Sequence, residues 1–463
     1  MSAPGQNGSP RAAAGAAAAG TVALDFAGGR GATLLLRGAR LLDPRADLDR
    51  TADLLVREGE VAEIGEGLEA PEGTEVVDAA GLHAFPAFVD PHVHLRTPGR
   101  EDEEDIDSGT RAAAAGGYGA ILAMPNTDPV VDSAPVLNSL RERARAEARV
   151  PTGFLAAVTV GQRGERLTEM AELADAGAAG FSDDGLPLRS AGMMRQALQY
   201  QRLSARNIAL HEEDPALSGA GVMHEGEVSA LLGLAGIPSV SESSMVARDC
   251  ALAAYEDGRV HVQHVSSRET VEVLAQAKAA GVRVTAEATP HHLLLTHDCL
   301  RGLDTNFKMN PPLRDEGDRQ ALIEGLRAGT LDCIATDHAP HAREEKEQPL
   351  EAAPMGVTGL ETAFAALHTD LVLPGVVGLE LVIERMTAGG EPFGLPLPTL
   401  APGSAANVCL VDLDAEWEAG EAGYESRSAN CAFHGRRLTG RVRMTIAGGA
   451  VAYRERSFAL GVA

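Results

Sequence analysis

The stretch AFPAFVDPHVHLRTPGR, residues 84–100, begins as an apolar strand-like run and ends in polar chemistry. Its second half carries His92 and His94 one residue apart, Arg96 two further on, and then Pro98 and Gly99, which stop the segment. Successive side chains on a strand point to opposite faces, so His92, His94 and Arg96 are expected on one face. That geometry suits a metal site beside an anion site. Taken alone it is weak, because paired histidines of this spacing also occur on surfaces and in cores.

Seven more apolar runs follow: YGAILAMPNT (118–127), TGFLAAVTV (152–160), AAGFSDDG (178–185), NIALHEED (207–214), VHVQHVSS (260–267), VRVTAEATPHH (282–292) and LDCIATDHAPH (331–341). Amphipathic stretches such as RETVEVLAQAKAAG and DRQALIEGLRAG lie between several of them. Eight such units predict an α/β fold, a (β/α)8 TIM barrel, over residues 89–402. The flanks are different. Short β-like runs at 33–88 and again at 403–463 predict a small β-sandwich domain built from both termini. The opening MSAPGQNGSPRAAAGAAAAG is poor in large apolar residues, and residues 1–32 are read as a disordered N-terminal extension rather than a secretory signal.

Composition narrows the partners. Lys and Arg number 40 against 66 Asp and Glu, a balance that argues against nucleic acid and against an anionic membrane surface. An anionic substrate must therefore meet locally placed positive charge, from metal ions or from a side chain such as Arg96. The five cysteines, Cys250, Cys299, Cys333, Cys409 and Cys431, show no CxxC spacing and are odd in number, which favours a reducing cytoplasm over a disulfide framework. No apolar run approaches the length of a membrane span.

Nearly every predicted barrel strand ends in His, Asp or Asn: His92 and His94, Asn126, Asp183 and Asp184, His211, His264, Asp337 and His341. Barrel enzymes carry their chemistry at that end, and four histidines with two aspartates are the donors a hydrolytic zinc site uses. Each residue has a simpler reading. DDG can be a turn, Asp337 can cap the following helix, and His211 and His264 can be core histidines. Their joint placement at strand ends favours the site. His291, His292 and His338 lack that support and are read as structural. The acidic run EDEEDID, 101–107, precedes an Ala-rich helix and is read as charge at a helix start.

The blocks DPHVHLRTPGREDEEDIDSGTRAAAAGG, AMPNTDPVVDS, FSDDG, TAEATPHHLLLT, FKMNPPLR and IATDHAPHA resemble the bacterial class I dihydroorotases of the amidohydrolase superfamily, in order, from about residue 33 onward. The resemblance implies zinc-dependent, reversible cyclisation of N-carbamoyl-L-aspartate to L-dihydroorotate in pyrimidine synthesis. It implies one zinc on His92, His94 and Asp337, a second on His211 and His264, and Asp184 between them, with Asp337 also as the catalytic proton carrier. Arg96, Asn126 and His341 match residues that bind the substrate's free carboxylate, and Asn310 one that contacts the ring. Many superfamily members bridge their metals with a carboxylated lysine, but the first lysine of this chain is Lys278, too late to supply one. The bridge is then Asp184, with Asp183 second in line, or it is absent. One position departs from the pattern: Thr97 stands where relatives place a glutamate. The family further implies a homodimer and docking with aspartate transcarbamoylase. Hydantoinases, dihydropyrimidinases and allantoinases are the rival hydrolases; an inactive scaffold for the transcarbamoylase is the rival from another class.

Overall fold

In the computed structural model, residues 22–459 are described. The five N-terminal strands β1 (Leu34–Asp43), β2 (Leu48–Arg57), β3 (Glu60–Gly65), β4 (Glu75–Asp78) and β5 (His83–Pro86) lead directly into the barrel. Its strands are β6 (Phe88–Val93), β7 (Tyr118–Ala123), β8 (Thr152–Ala156), β9 (Gly180–Ser182) and β10 (Ile208–Leu210). After a two-stranded flap of β11 (Met223–His224) and β12 (Gly236–Ile237), β13 (Val260–Val262), β14 (Val284–Ala288) and β15 (Cys333–Ile334) complete it. All eight runs read from the sequence are barrel strands, paired in parallel in the order β15-β14-β13-β10-β9-β8-β7-β6.

Closure between the last strand and the first is made largely beyond the ladder. Val93 bridges His338, the His94 N–H donates to the His338 carbonyl at 2.9 Å, and the buried Asp90 carboxylate accepts the Thr336 hydroxyl at 2.6 Å. A side chain thus stands in for strand pairing where β15 is only two residues long.

The chain returns through β16 (Val408–Glu418), β17 (Arg437–Ala447) and β18 (Ala450–Arg454), which join the first strands in one sheet of order β18-β17-β16-β5-β1-β2-β3, with β4 beside β1. Apolar residues from both ends of the chain, among them Leu34, Leu54, Val56, Val408, Leu410 and Ile446, share its core. Burying alternate positions of strands from both termini makes the two ends one folding unit. No helix among the described residues is long and apolar enough to cross a membrane.

Residues 1–21 of the expected disordered extension lie outside the described residues. Residues 22–32 differ from that expectation. Val22 and Leu24 pack against Val89, Leu122, Leu155 and Leu395 at the floor of the barrel. Asp25 pairs with Thr152 through both backbone groups, and its carboxylate meets Arg141 at 2.6 Å and Arg145 at 2.8 Å. Two apolar side chains and one doubly paired acid hold this segment, a signal too short for a periodicity reading to register.

Candidate metal centre and carboxylate clamp

The barrel interior changes character from floor to mouth. Above the apolar floor lies a buried polar layer of Ser182, His261, Gln263 and Glu287, and above that converge the six predicted ligands, all buried. His92 Nε2 lies 3.4 Å from Asp184 Oδ1 and 3.4 Å from Asp337 Oδ1. His94 Nε2 lies 3.1 Å from Asp337 Oδ1 and 3.4 Å from Asp184 Oδ2. On the other side, His211 Nδ1 and His264 Nε2 are 2.9 Å apart, at 4.0 and 3.8 Å from Asp184 Oδ1. The Asp184 carboxylate thus faces both halves of the cluster.

His92, Asp184 and His264 bring their ligand atoms within 4.8 Å of one another, and so do His92, His94 and Asp337. Asp184 Oδ1 is buried without a hydrogen-bond donor among the described residues, which is costly for a carboxylate oxygen unless a cation completes it. Four imidazole nitrogens, two carboxylates and that orphaned oxygen fit divalent metal. Asp183 is excluded from the role. Its carboxylate accepts the Val158 N–H at 2.8 Å, the Thr159 N–H at 3.0 Å and the Thr159 hydroxyl, and burial pushes its pKa up to about 6. It organises the loop after β8.

The charges of the cluster suit divalent cations. Burial alone would lower the His92 pKa, but Asp184, Asp337 and Glu287 outweigh it and hold the ring well above its ordinary value. Burial opposes ionisation of Asp184 and Asp337 too, yet the neighbouring histidines, His92 foremost, keep both below the usual carboxylate range.

Arg96 reaches the mouth by a route that strand alternation does not describe. Strand β6 ends at Val93, and Arg96 adopts a left-handed backbone, φ 53°. His264 (φ 33°) and Asp337 (φ 48°) do the same, so three residues of the site hold a conformation that costs about 1–3 kcal/mol each and persists only where surrounding contacts impose it. Arg96 Nε donates to the Pro340 carbonyl at 3.0 Å and lies 3.2 Å from Glu103 Oε2; its Nη2 lies 3.4 Å from His341 Nε2. Glu103 also meets His341 Nδ1 at 3.1 Å, so one acid orients two of the three residues of the expected clamp. Asn126 is placed against the metal ligands: its Oδ1 is 2.9 Å from His94 Nδ1, and its Nδ2 donates to Asp184 Oδ2 at 3.4 Å. Asn310 Nδ2 donates to Glu213 Oε2 at 2.6 Å and lies 3.5 Å from His211 Nε2.

The acidic run before the first barrel helix does more than face its dipole. Asp105 caps that helix with Ser108, but Glu104 is buried against His338 at 3.1 Å and against Ser426, and Glu103 serves Arg96. His338 is structural, as read: Nε2 meets Glu104 and Nδ1 receives the Gly359 N–H at 3.2 Å. His292 is likewise held between Thr289 at 2.8 Å and the Pro311 carbonyl at 2.9 Å. His291 is buried, and its Nε2 has no hydrogen-bond partner among the described residues. Sequence reasoning passed over Glu103, Glu213 and Glu287. Only Glu287 carried a signal, an acid inside the apolar β14 strand.

Thr97 is buried rather than solvent-facing, and its hydroxyl has no partner among the described residues. The acid that orients Arg96 is already supplied by Glu103, so Thr97→Glu is not expected to lower KM; a carboxylate at this buried position is instead expected to cost about 3 kcal/mol or more of stability. Steady-state kinetics and denaturant unfolding of the variant check this. The long segment after β15 is pinned: Lys346 Nζ donates to the carbonyls of Lys308, Pro354 and Gly356 at 3.2, 3.1 and 2.9 Å, and Lys308 Nζ donates to that of Leu350 at 2.6 Å. His341 Nε2, 2.9 Å from the Met355 carbonyl, ties the segment to the clamp.

Relatives at high identity decide the family. A dihydroorotase of Geobacter metallireducens is 44% identical over 91% of this chain and 100% of its own length, and one of Anaeromyxobacter dehalogenans is 46% identical over 91% and 98%. The chain belongs to the dihydroorotase family. A family profile described as Dihydro-orotase-like matches residues 82–270, from the end of the N-terminal strands to the helix after β13. Solved structures place this dihydroorotase-family chain in the wider group of cyclic-amide hydrolase barrels. An L-hydantoinase from Arthrobacter aurescens superposes with a TM-score of 0.81 at 27% identity, covering 90% of this chain and 95% of that one. A dihydropyrimidinase from Brevibacillus agri superposes at 0.79 with 23% identity, which speaks for the fold alone.

Proposed function

We propose that the chain catalyses the reversible cyclisation of N-carbamoyl-L-aspartate to L-dihydroorotate, the ring-closing step of pyrimidine synthesis, using zinc at the β-barrel mouth. His92, His94 and Asp337 would hold one ion and His211 and His264 another, with the Asp184 carboxylate available to either. The observation that carries this reading over hydantoin hydrolysis is the part-buried Arg96 guanidinium, braced by Glu103 and His341 beside the ligand cluster. A planar guanidinium takes a free carboxylate by two parallel hydrogen bonds, and a hydantoin lacking one has no use for it. The chain also supplies no lysine before Lys278 to serve as a carboxylated bridge.

Metal held in this cluster supplies Lewis-acid polarisation of the ring carbonyl and lowers the pKa of water toward neutrality. The chain's own groups do the rest. Arg96 and His341, with Asn126 at the edge of the ligand cluster, position the substrate through its free carboxylate, and Asn310 meets the ring. Asp337, ionised beside His92 and His94, accepts a proton from the attacking water and delivers it to the leaving ring nitrogen. In the direction of ring closure the same carboxylate takes a proton from the carbamoyl nitrogen as that nitrogen attacks the side-chain carboxyl carbon, and returns it to the departing oxygen, which leaves as water.

Metal content and hydrolysis of dihydroorotate, hydantoin and allantoin measured on one sample test the reading. One or two zinc per chain with dihydroorotate preferred is the expected result; hydantoin preferred over dihydroorotate overturns it. Glu103→Gln is expected to raise KM for dihydroorotate about tenfold, corresponding to about 1.4 kcal/mol lost when a charged partner of Arg96 is neutralised, with kcat changed less. A homodimer, docking with aspartate transcarbamoylase and a cytoplasmic setting belong to the same proposal.

A further inference from the structure

The polar layer beneath the metal ligands contains one acid the proposed chemistry does not use. Glu287, fully buried on β14, places Oε1 2.7 Å from His92 Nδ1 and 3.2 Å from the His264 backbone N–H, which donates to it. Its Oε2 lies 2.9 Å from His261 Nε2, and His261 Nδ1 lies 2.9 Å from the Thr285 hydroxyl. Gln263 closes the layer, its Nε2 3.2 Å from His92 Nδ1 and its Oε1 accepting the Ser182 hydroxyl at 3.0 Å. One carboxylate therefore touches a ligand of each half of the cluster, and three barrel strands meet on it.

The geometry points to Glu287 as the positioning residue of the metal centre: it holds the proton of His92 on Nδ1, so that the Nε2 lone pair faces Asp184 and Asp337, and it fixes the backbone from which His264 projects. A neutral imidazole presents a lone pair at one nitrogen only, and the partner of the other nitrogen selects which. A carboxylate in that place also raises the basicity of the ligating nitrogen and fixes the plane of the ring. His261 and Thr285 in turn fix the carboxylate. Their chain of contacts runs down the barrel interior, away from the mouth where substrate enters, so Glu287 acts through His92 and His264. This inference rests on the metal reading above and assigns a role to a residue which that reading leaves idle.

The test compares wild type with Glu287→Gln, a substitution that keeps the shape and removes the charge. Zinc affinity is measured by competition with a chromophoric chelator, and the visible spectrum of the cobalt-loaded protein reports ligand geometry. The Gln variant is expected to bind metal about 10–100-fold more weakly, with an altered cobalt spectrum and a fall in kcat, while KM stays close to the wild-type value. Glu287→Asp, which keeps the charge, is expected to recover part of the lost affinity. If the Gln variant does not fold, ¹⁵N shifts of histidine-labelled wild type read the same point: His92 must carry its proton on Nδ1 in the metal-loaded protein, and a proton on Nε2 overturns the inference. A metal-loaded wild type with a Gln variant of equal affinity and unchanged spectrum overturns this inference alone. A wild type that holds no divalent metal overturns both it and the reading beneath it.

Discussion

Replacing Asp337 by Asn is expected to lower kcat for dihydroorotate hydrolysis by about 10²–10⁴-fold, the usual range for loss of a positioned general base. Asp337 Oδ1 stands 3.1 Å from His94 Nε2 and 3.4 Å from His92 Nε2, where an amide of the same shape still offers one oxygen. Metal is therefore expected to remain, at reduced affinity, while proton transfer fails. An amide cannot accept the proton of the attacking water, so both directions of the reaction should fall together. Metal analysis and single-turnover kinetics on the same preparation separate the two effects. Turnover near wild type with metal bound would remove Asp337 from its catalytic role.

Asp184→Asn should be nearly as damaging for a different reason. Its two oxygens reach toward His92, His94, His211 and His264 at 3.4 to 4.0 Å, so one carboxylate faces the ligating side of both halves of the cluster. The variant is expected to hold no more than one metal per chain and to lose activity by more than the about 10–100-fold that follows loss of a supporting hydrogen bond. Asp183→Asn is the informative contrast. It would weaken the acceptor for two backbone N–H groups and a hydroxyl, and is expected to reduce stability by about 1–3 kcal/mol with metal stoichiometry unchanged. Equal metal loss in the two variants would contradict the assignment of Asp184 as the shared ligand.

The eight barrel strands were legible in the sequence because each is a contiguous apolar run with its polar residue at one end. The convergence of His92, His94, Asp184, His211, His264 and Asp337 was legible for the same reason: each is written beside the strand that carries it, and barrel closure supplies the rest. The segment at 22–32 was not, since two apolar residues and one acid carry no periodicity. Arg96 was placed correctly at the mouth but for an incomplete reason; the strand ends before it, and a left-handed residue turns its side chain inward.

What the sequence by itself determined is the fold and which candidate donors stand at the strand ends, because both follow from local patterns repeated along the chain. Only the tertiary structure decided which acid serves which partner. Asp183 and Asp184 are adjacent and chemically identical, and they separate only because one faces the backbone after β8 and the other faces four imidazoles. Glu103 reads as helix-start charge until the fold sets it against Arg96 and His341. Glu287 and His92 are 195 residues apart and meet only when the barrel closes. A carboxylate's role is set by the charges and donors within a few ångströms of it, and in a barrel those neighbours come from other strands.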